Sequence, residues 1–244
     1  MTSDAMSNFT FPKNTALFLD FDGTLVSFAD DPNAVHLTSV QTDILLRLHA
    51  ALSGAVALIS GRDIRDLSKR TPQDLWRIGN HGLYAAAPGK APPNNIIHFP
   101  PTLRQTLETE LRALPKVWIE DKGPILAIHH RANPDAGPDI VRIATKVMQS
   151  AILDDQLCLQ VGHDVVEIKP TAANKGKALL KHMSHPDFTG RIAVMIGDDT
   201  TDEDGFLAAQ SLGGFGIKMG PGPTAAKYRI DSQDDLYTLL GTLI

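Results

Sequence analysis

Continuous apolar runs alternate along the chain with stretches whose apolar positions recur at helical spacing. ALFL (16–19), AVALIS (55–60) and RIAVMIG (191–197) are runs of the kind that form strands covered by helices on both faces. After the first run, Val40, Ile44, Leu45, Leu48 and Leu52 follow a helical period, and Gly54 stands where that helix should stop. This alternation predicts an α/β fold with a largely parallel sheet.

The middle of the chain has a different pattern. APGKAPPNN (87–95) is rich in Pro, Gly and Asn and reads as a loop or linker. Helix-like segments at 103–114 and 140–152 then alternate with two pairs of short strands, at 117–120 with 125–129 and at 157–161 with 165–168. Lys122-Gly123-Pro124 and Gly162-His163-Asp164 separate the members of each pair, as in antiparallel hairpins. The expected organisation is a core of residues 1–84 and 168–244 interrupted by a small α+β domain at 85–167, a size within the usual domain range.

Composition narrows the classes of function. The 244 residues are 43% hydrophobic and 21% charged, as in an ordinary globular protein. A net charge of -5 offers no basic field for a phosphate backbone, so nucleic acid is not an expected partner. No apolar run approaches the roughly 20 residues of a membrane span. MTSDAMSNFTFPKN has neither the basic start nor the apolar centre of a signal peptide. The single cysteine, Cys158, lies in the apolar run LCLQV and reads as a buried structural thiol. A cytoplasmic chain with no obligate protein partner is the expectation.

Polar groups cluster where the apolar runs end. The first run ends in Asp20-Phe21-Asp22-Gly23-Thr24, the second in Ser60-Gly61-Arg62, and the third in Asp198-Asp199 with Thr201, Asp202, Glu203 and Asp204 beyond. Asn174-Lys175-Gly176 opens a helix after Pro170. Any one of these aspartates is equally well a helix cap, and an acidic run is commonly a solvated face. Convergence changes the weighing, because open parallel sheets bind ligands outside the carboxyl ends of their strands. Two carboxylates about 4 Å apart repel by roughly 4 kcal/mol at an effective dielectric of 20. Asp20, Asp22 and Asp198 together therefore call for a cation, and hard oxygen donors favour Mg²⁺. Lys175, Ser60, Thr24 and the backbone of the Gly23 turn would then hold a phosphate.

DFDGT, Ser60, Lys175 and GDD with its acidic tail resemble, in order, the four motifs of the haloacid dehalogenase (HAD) superfamily. The resemblance implies a Rossmann-like parallel-sheet core with an inserted α+β type-two (C2) cap. It implies Asp20 as nucleophile through an aspartyl-phosphate, and Asp22 as general acid and then base. Mg²⁺ would lie on Asp20, Asp198 and the Asp22 backbone carbonyl, with Asp199 and Asp202 supporting that site. Phosphate would lie against Gly23, Thr24, Ser60, Gly61 and Lys175. Among other carboxylates, Asp22 is expected to keep its proton to higher pH, which suits a general acid.

LFLDFDGTLVSFADDPNAV, AVALISGRDIRDL, GNHGLY, EDKGPILAIHHR, VVEIKPTAANKGKAL and IGDDTTDEDGF together look like the trehalose-6-phosphate phosphatase family. The likeness implies sugar contacts from Glu120, Lys122, His129, Arg131 and Glu167 in the cap, with Arg62, Asn80, His81 and Gly82 in the core. Two positions depart from that pattern: His130 replaces a usual Tyr, and Lys169 a usual Arg. A sugar phosphate is thus the expected small-molecule partner. Sucrose phosphate, mannosyl-phosphoglycerate or a hexose phosphate is the alternative substrate, and a metabolite-binding regulator without turnover is the alternative class. From the residues alone, Glu120, Lys122 and Arg131 read equally well as hairpin ion pairs. Trp76 and Trp118 read as packing residues, His81 as structural, and GPGP (220–223) as a turn.

Overall fold

The computed structural model describes residues 9–27, 34–150, 156–162 and 164–244. In chain order the first elements are β1 (Thr15–Asp20), α1 (Ser39–Ala51), β2 (Val56–Ile59), α2 (Ile64–Arg70), β3 (Trp76–Gly79) and β4 (Tyr84–Ala86). Then come α3 (Pro101–Leu111), β5 (Trp118–Asp121), β6 (Leu126–His129), α4 (Gly137–Ser150), β7 (Leu157–Val161) and β8 (Val165–Pro170). The chain closes with α5 (Lys175–Met183), β9 (Ile192–Gly197), α6 (Thr200–Ser211), β10 (Phe215–Met219), β11 (Tyr228–Ile230) and α7 (Gln233–Gly241). Among the described residues, no helix is long and apolar enough to cross a membrane.

Two compact units result, one of residues up to Pro93 together with Asn174–Ile244, the other of Asn94–Ala173. These divisions differ from 85 and 167 for reasons of pairing. β4 bonds antiparallel to β3, which ties 84–86 to the first unit, while β8 runs on to Pro170, opposite Leu157 of β7.

The first unit is a seven-stranded sheet in the order β11-β10-β9-β1-β2-β3-β4, parallel except for β4. Its central strand, β1, is buried along its whole length, which explains why its sequence is apolar without alternation. From β1 the chain builds outward through β2 on one side, then returns to build through β9 on the other. That reversal creates a topological switch point, and Asp20 stands at the carboxyl end of β1 beside it. Register aligns Asp20 with Ile59, so Ser60 follows at the same edge; Leu19 aligns with Ile196, so Asp198 follows there too. The helix predicted after β1 is present, with a capping box between Thr38 and Gln41, and it buries Leu45 and Leu48. Val40, in its first turn, is exposed instead.

The second unit is a four-stranded antiparallel sheet in the order β5-β6-β8-β7, and both expected hairpins form. His163 and residues 151–152 of the predicted segments lie outside the described residues. Leu126, Ile128, Val166 and Ile168 face Leu103 and Leu107 of α3 and Ile140 and Val147 of α4 in a core of their own. The register puts Trp118, Glu120, His129, Glu167, Gln160, Lys169 and Cys158 on the opposite face. Cys158 is therefore half-buried on a polar face, because strand alternation turns its side chain away from the core that takes Leu157.

An independent core makes a prediction. Ile128→Ala should cost about 3 kcal/mol, the usual price of truncating a buried isoleucine. Amide hydrogen exchange should then quicken within residues 94–173 and stay unchanged at β1 and β9; equal acceleration in both units would contradict separate cores.

Candidate active site

The centre of the site is a buried ammonium. The Asn174 side chain caps α5 by accepting from Lys177 N (2.9 Å), and this sets Lys175 at the first helical position. Lys175 Nζ donates to Asp20 Oδ1 (2.6 Å) and to Asp202 Oδ1 (2.7 Å), and all three side chains are nearly inaccessible. Asp202 Oδ2 accepts the backbone N–H groups of Asp198 and Asp199, each at 3.0 Å. This approach needs Gly197, since a Cβ there would lie 2.2 Å from Asp202 Cγ.

Carboxylate oxygens of Asp20, Asp198 and Asp202 lie within 4.8 Å of one another. At that separation each like-charged pair repels by roughly 3 kcal/mol at an effective dielectric of 20. One ammonium cannot balance three carboxylates. Burial, followed by Asp202 and Asp198 against the opposing pull of Lys175, holds the Asp20 carboxyl well above the ordinary range. Burial and then Asp202 push Asp198 up to about 6. Burial works against the Lys175 charge, but Asp20 and Asp202 outweigh it and keep the ammonium protonated. Three oxygen donors with uncompensated charge fit a hard divalent cation.

Several expected contacts are different in the structure. Asp22 does not sit among carboxylates. Its Oδ2 accepts from Arg62 Nε (2.7 Å) and its Oδ1 from Arg62 Nη2 (2.5 Å), so Arg62, expected at the sugar, holds Asp22. Thr24 is fully buried and donates to Asp198 Oδ1 (2.8 Å), orienting a carboxylate where a phosphate contact was expected. Asp199 caps α6, accepting from Thr200 N at 2.6 Å, and is therefore occupied at the helix end. Ser60 Oγ accepts from Arg62 N (3.1 Å), and Gly23 donates to the Val26 carbonyl (2.8 Å) in the turn beyond Asp22.

The NHG turn binds these pieces together. Asn80 and His81 both have left-handed backbones, φ 51° and 53°, strain of the kind functional sites store. Asn80 N donates to the Arg62 carbonyl and His81 N to the Ser60 carbonyl, while Asn80 Oδ1 accepts from Ile64 N. The His81 ring occupies the space over Gly61, where a Cβ would lie 2.7 Å from it, and Gly82 packs against Ala178 of α5.

In the second unit, Lys122 Nζ donates to Glu167 Oε1 (2.9 Å) and His129 Nε2 lies 2.8 Å from Glu120 Oε2. Arg131 is exposed, with Nε 3.8 Å from Asp164. Trp76 is buried as expected, but Trp118 is 54% exposed and stacks on His129 at 4.1 Å. It stands on an edge strand, on the face away from the helices.

Three residues near this edge were not anticipated. Lys218 is buried in β10 and donates to the Asp198 carbonyl. Asp66 and Arg70 extend the Asp22–Arg62 pair. A lysine inside the apolar run FGIKM, and the four-residue spacing of 66 and 70 on α2, are the signals that mark them.

Residues 18–234 match the model of the trehalose-phosphatase family. The chain belongs to that family. Trehalose-6-phosphate phosphatase of Escherichia coli is 34% identical over 231 residues, covering 92% of this chain and 85% of that protein. Among solved structures, the C-terminal domain of trehalose-6-phosphate phosphatase from C. albicans superposes with a TM-score of 0.80 at 21% identity, covering 95% of this chain and 92% of that one. BT1666 from Bacteroides thetaiotaomicron, a phosphatase of the HAD superfamily, superposes with a TM-score of 0.64 at 16% identity, covering 97% and 99%. Membership in the trehalose-phosphatase family makes the chain a phosphoric monoester hydrolase on the HAD fold, which generally works with a metal ion. The acidic group of Asp20, Asp198 and Asp202 is where that ion fits.

The raised carboxyls give a pH test. Between the ordinary carboxylate range near pH 4 and about pH 6, native Asp198 keeps a proton that the unfolded chain has lost. Its contribution to stability is therefore complete below that window and disappears as pH rises through about 6. Above it, a bound cation would offset the buried charge. Mg²⁺ should raise the melting temperature more at about pH 8 than at about pH 5 by scanning fluorimetry. An equal rise at both values would remove Asp198 from the cation site.

Proposed function

We propose that the protein hydrolyses trehalose 6-phosphate to trehalose and phosphate, with Mg²⁺ as the metal. The observation that carries this reading is the trehalose-phosphatase match over residues 18–234, in a chain whose Asp20, Lys175, Asp202 and Asp198 converge at one strand edge. Held by Asp20, Asp198 and the Asp22 backbone carbonyl, with Asp202 supporting the site, Mg²⁺ would supply charge neutralisation for the phosphoryl oxygens.

Asp20 is the nucleophile. Its carboxylate oxygen bonds to phosphorus as the bond from phosphorus to the sugar oxygen breaks, leaving an aspartyl-phosphate. Lys175, already on Asp20, helps to neutralise the incoming dianion and aligns the attacking oxygen. Asp22 gives a proton to the departing sugar oxygen. It then takes one from the water that attacks the aspartyl-phosphate, so that phosphate leaves and both aspartates are restored. Ser60 and the Gly61 backbone hold phosphoryl oxygens, while the Gly23 N–H, expected there too, is taken by the Val26 carbonyl.

Glu120, Lys122, His129 and Glu167 supply the charged, directional groups that sugar hydroxyls require, and their common sheet face supports this role. Arg131 is the remaining proposed sugar contact of this unit. Asn80 and His81, expected at the sugar, are instead buried in the turn that holds Ser60 and Arg62. Asp199 supports the proposed metal loop as its helix cap.

Three measurements test the reading. A phosphate-release panel with Mg²⁺ should favour trehalose 6-phosphate over sucrose phosphate and hexose phosphates; an equal or better rate on another member would reassign the substrate. Asp20→Asn should abolish phosphate release with the fold intact, and wild-type rates would remove the nucleophile. Glu167→Ala should lower kcat/KM for trehalose 6-phosphate at least about tenfold more than for p-nitrophenyl phosphate, the scale of one lost charged hydrogen bond. Equal losses on both would remove Glu167 from sugar recognition.

A further inference from the structure

Asp22 begins a line of alternating charges that runs away from the reacting centre. Arg62 grips both of its oxygens, and Arg62 Nη1 donates onward to Asp66 Oδ2 (2.9 Å). Arg70 takes Asp66 from the other side, donating Nε to Oδ2 and Nη2 to Oδ1, both at 2.8 Å. Arg70 Nη1 donates to the Val35 carbonyl (2.7 Å), and the Arg70 side chain is only 7% exposed. Asp66 and Arg70 lie one turn apart on α2, so the helix sets their separation. The Arg62 guanidinium also lies over the buried Phe21 ring, 5.6 Å from its centre. Burial pulls the Asp66 carboxyl upward, but its hydrogen bonds from Arg70 and Arg62 hold it below the ordinary range.

This arrangement removes freedom from Arg62. An unrestrained arginine loses much side-chain entropy on being fixed. Here the guanidinium plane is determined from three directions: Asp66 at one nitrogen, Phe21 at its face and Asp22 at its fork. The Arg62 backbone is fixed as well, between Ser60 Oγ and Asn80 N. A planar fork so held admits one orientation of the Asp22 carboxyl.

We propose that Asp66 and Arg70 are positioning residues for Asp22, acting through Arg62 to set the direction in which the Asp22 carboxyl meets the leaving oxygen. The proposal rests on Asp22 as the acid of the function given above. To reach a leaving group, Asp22 opens one of its two bonds to Arg62; the other keeps the carboxyl aimed, and its direction is inherited from α2. Neither Asp66 nor Arg70 touches the substrate. Both act on the step that depends on proton delivery and leave the binding of the phosphoryl group alone.

The test compares Asp66→Asn, Arg70→Lys and Asp22→Asn with saturating Mg²⁺, on trehalose 6-phosphate and on p-nitrophenyl phosphate, whose leaving group departs without a proton. Asp66→Asn is close in shape to the parent, and Arg70→Lys keeps a charge while losing the fork. In the first turnover, before the water step that both esters share, each should slow release of the sugar about tenfold or more and leave the burst of nitrophenol within twofold, with KM within twofold. In the Asp22→Asn background, Asp66→Asn should add no further loss on the sugar phosphate, because its effect passes through Asp22.

Equal losses on both esters, or full additivity with Asp22→Asn, would make Asp66 and Arg70 structural residues only and overturn the proposal. If Asp22→Asn itself fails to distinguish the esters, the acid assignment falls and takes the proposal with it. If Asp22→Asn distinguishes them and Asp66→Asn and Arg70→Lys do not, the positioning line alone is wrong. Melting temperatures identify any variant whose loss comes from unfolding. Should Asp66→Asn and Arg70→Lys both unfold, Arg70 supports the fold rather than Asp22, and the proposal is again overturned.

Discussion

The buried contact of Lys175 with Asp20 and Asp202 is the interaction on which the rest of the structure depends. It joins three elements distant in sequence, β1, α5 and α6, at one point on the carboxyl edge of the sheet. Taking an ammonium and two carboxylates out of water costs several kcal/mol per ion, and their mutual attraction repays this only with good geometry. The geometry comes from the surroundings. Asn174 caps the helix that carries Lys175, and Gly197 leaves the room into which Asp202 folds back over the backbone of the metal loop. Removing one member would leave uncompensated buried charge, a loss of about 3–5 kcal/mol.

The same contact explains why the two aspartates of β1 and its following turn are not equivalent. Asp20 ends the strand inside the dry, overcharged cluster, where a cation would offset the excess negative charge. Asp22, past the strand end and partly accessible, has turned from that cluster toward Arg62. Two carboxyls two residues apart thus meet opposite electrostatic surroundings, one of carboxylates and one of a guanidinium. The proposed division between attack and proton transfer draws on that difference. In this chain it arises from the end of a strand, where the alternation of side chains gives way to a turn.

Much of this could be read from the chain itself. Runs without alternation gave away the buried parallel strands β1, β2 and β9, since period and burial are coupled. Carboxylates just after those runs marked the switch point, because topology carries strand ends to one edge. The short strands β3, β4, β10 and β11 were less legible, being brief and interrupted by polar residues such as Arg77 and Lys218 that are buried only because particular carbonyls receive them. Side-chain partners were the least legible. Nothing in DFDGT states that Asp22 turns to Arg62, or that Thr24 turns inward to Asp198; such choices depend on rotamers settled by neighbours from other elements. Trp118 was misread for a related reason: an aromatic residue predicts packing, but an edge strand has a face that nothing in its own unit covers.

The second unit separates the residues proposed for sugar recognition from those that hold its core. Its sheet is stabilised on one face, by α3 and α4, and the polar row of Glu120, His129, Lys122 and Glu167 lies on the other. Substitution along that row therefore leaves the apolar core of the unit untouched. The two departures from the family pattern separate along the same line. His130 is buried against Gly137, and among the described residues its Nδ1 has no hydrogen-bond partner, so replacement of a tyrosine there is a matter of packing beneath the sheet. Lys169 follows Glu167 on the polar face, opposite Cys158, where arginine and lysine differ in the geometry of donors they present. A departure on that face alters the polar row itself, where Glu167 and Lys169 are buried. One beneath it alters only how firmly the surface is held.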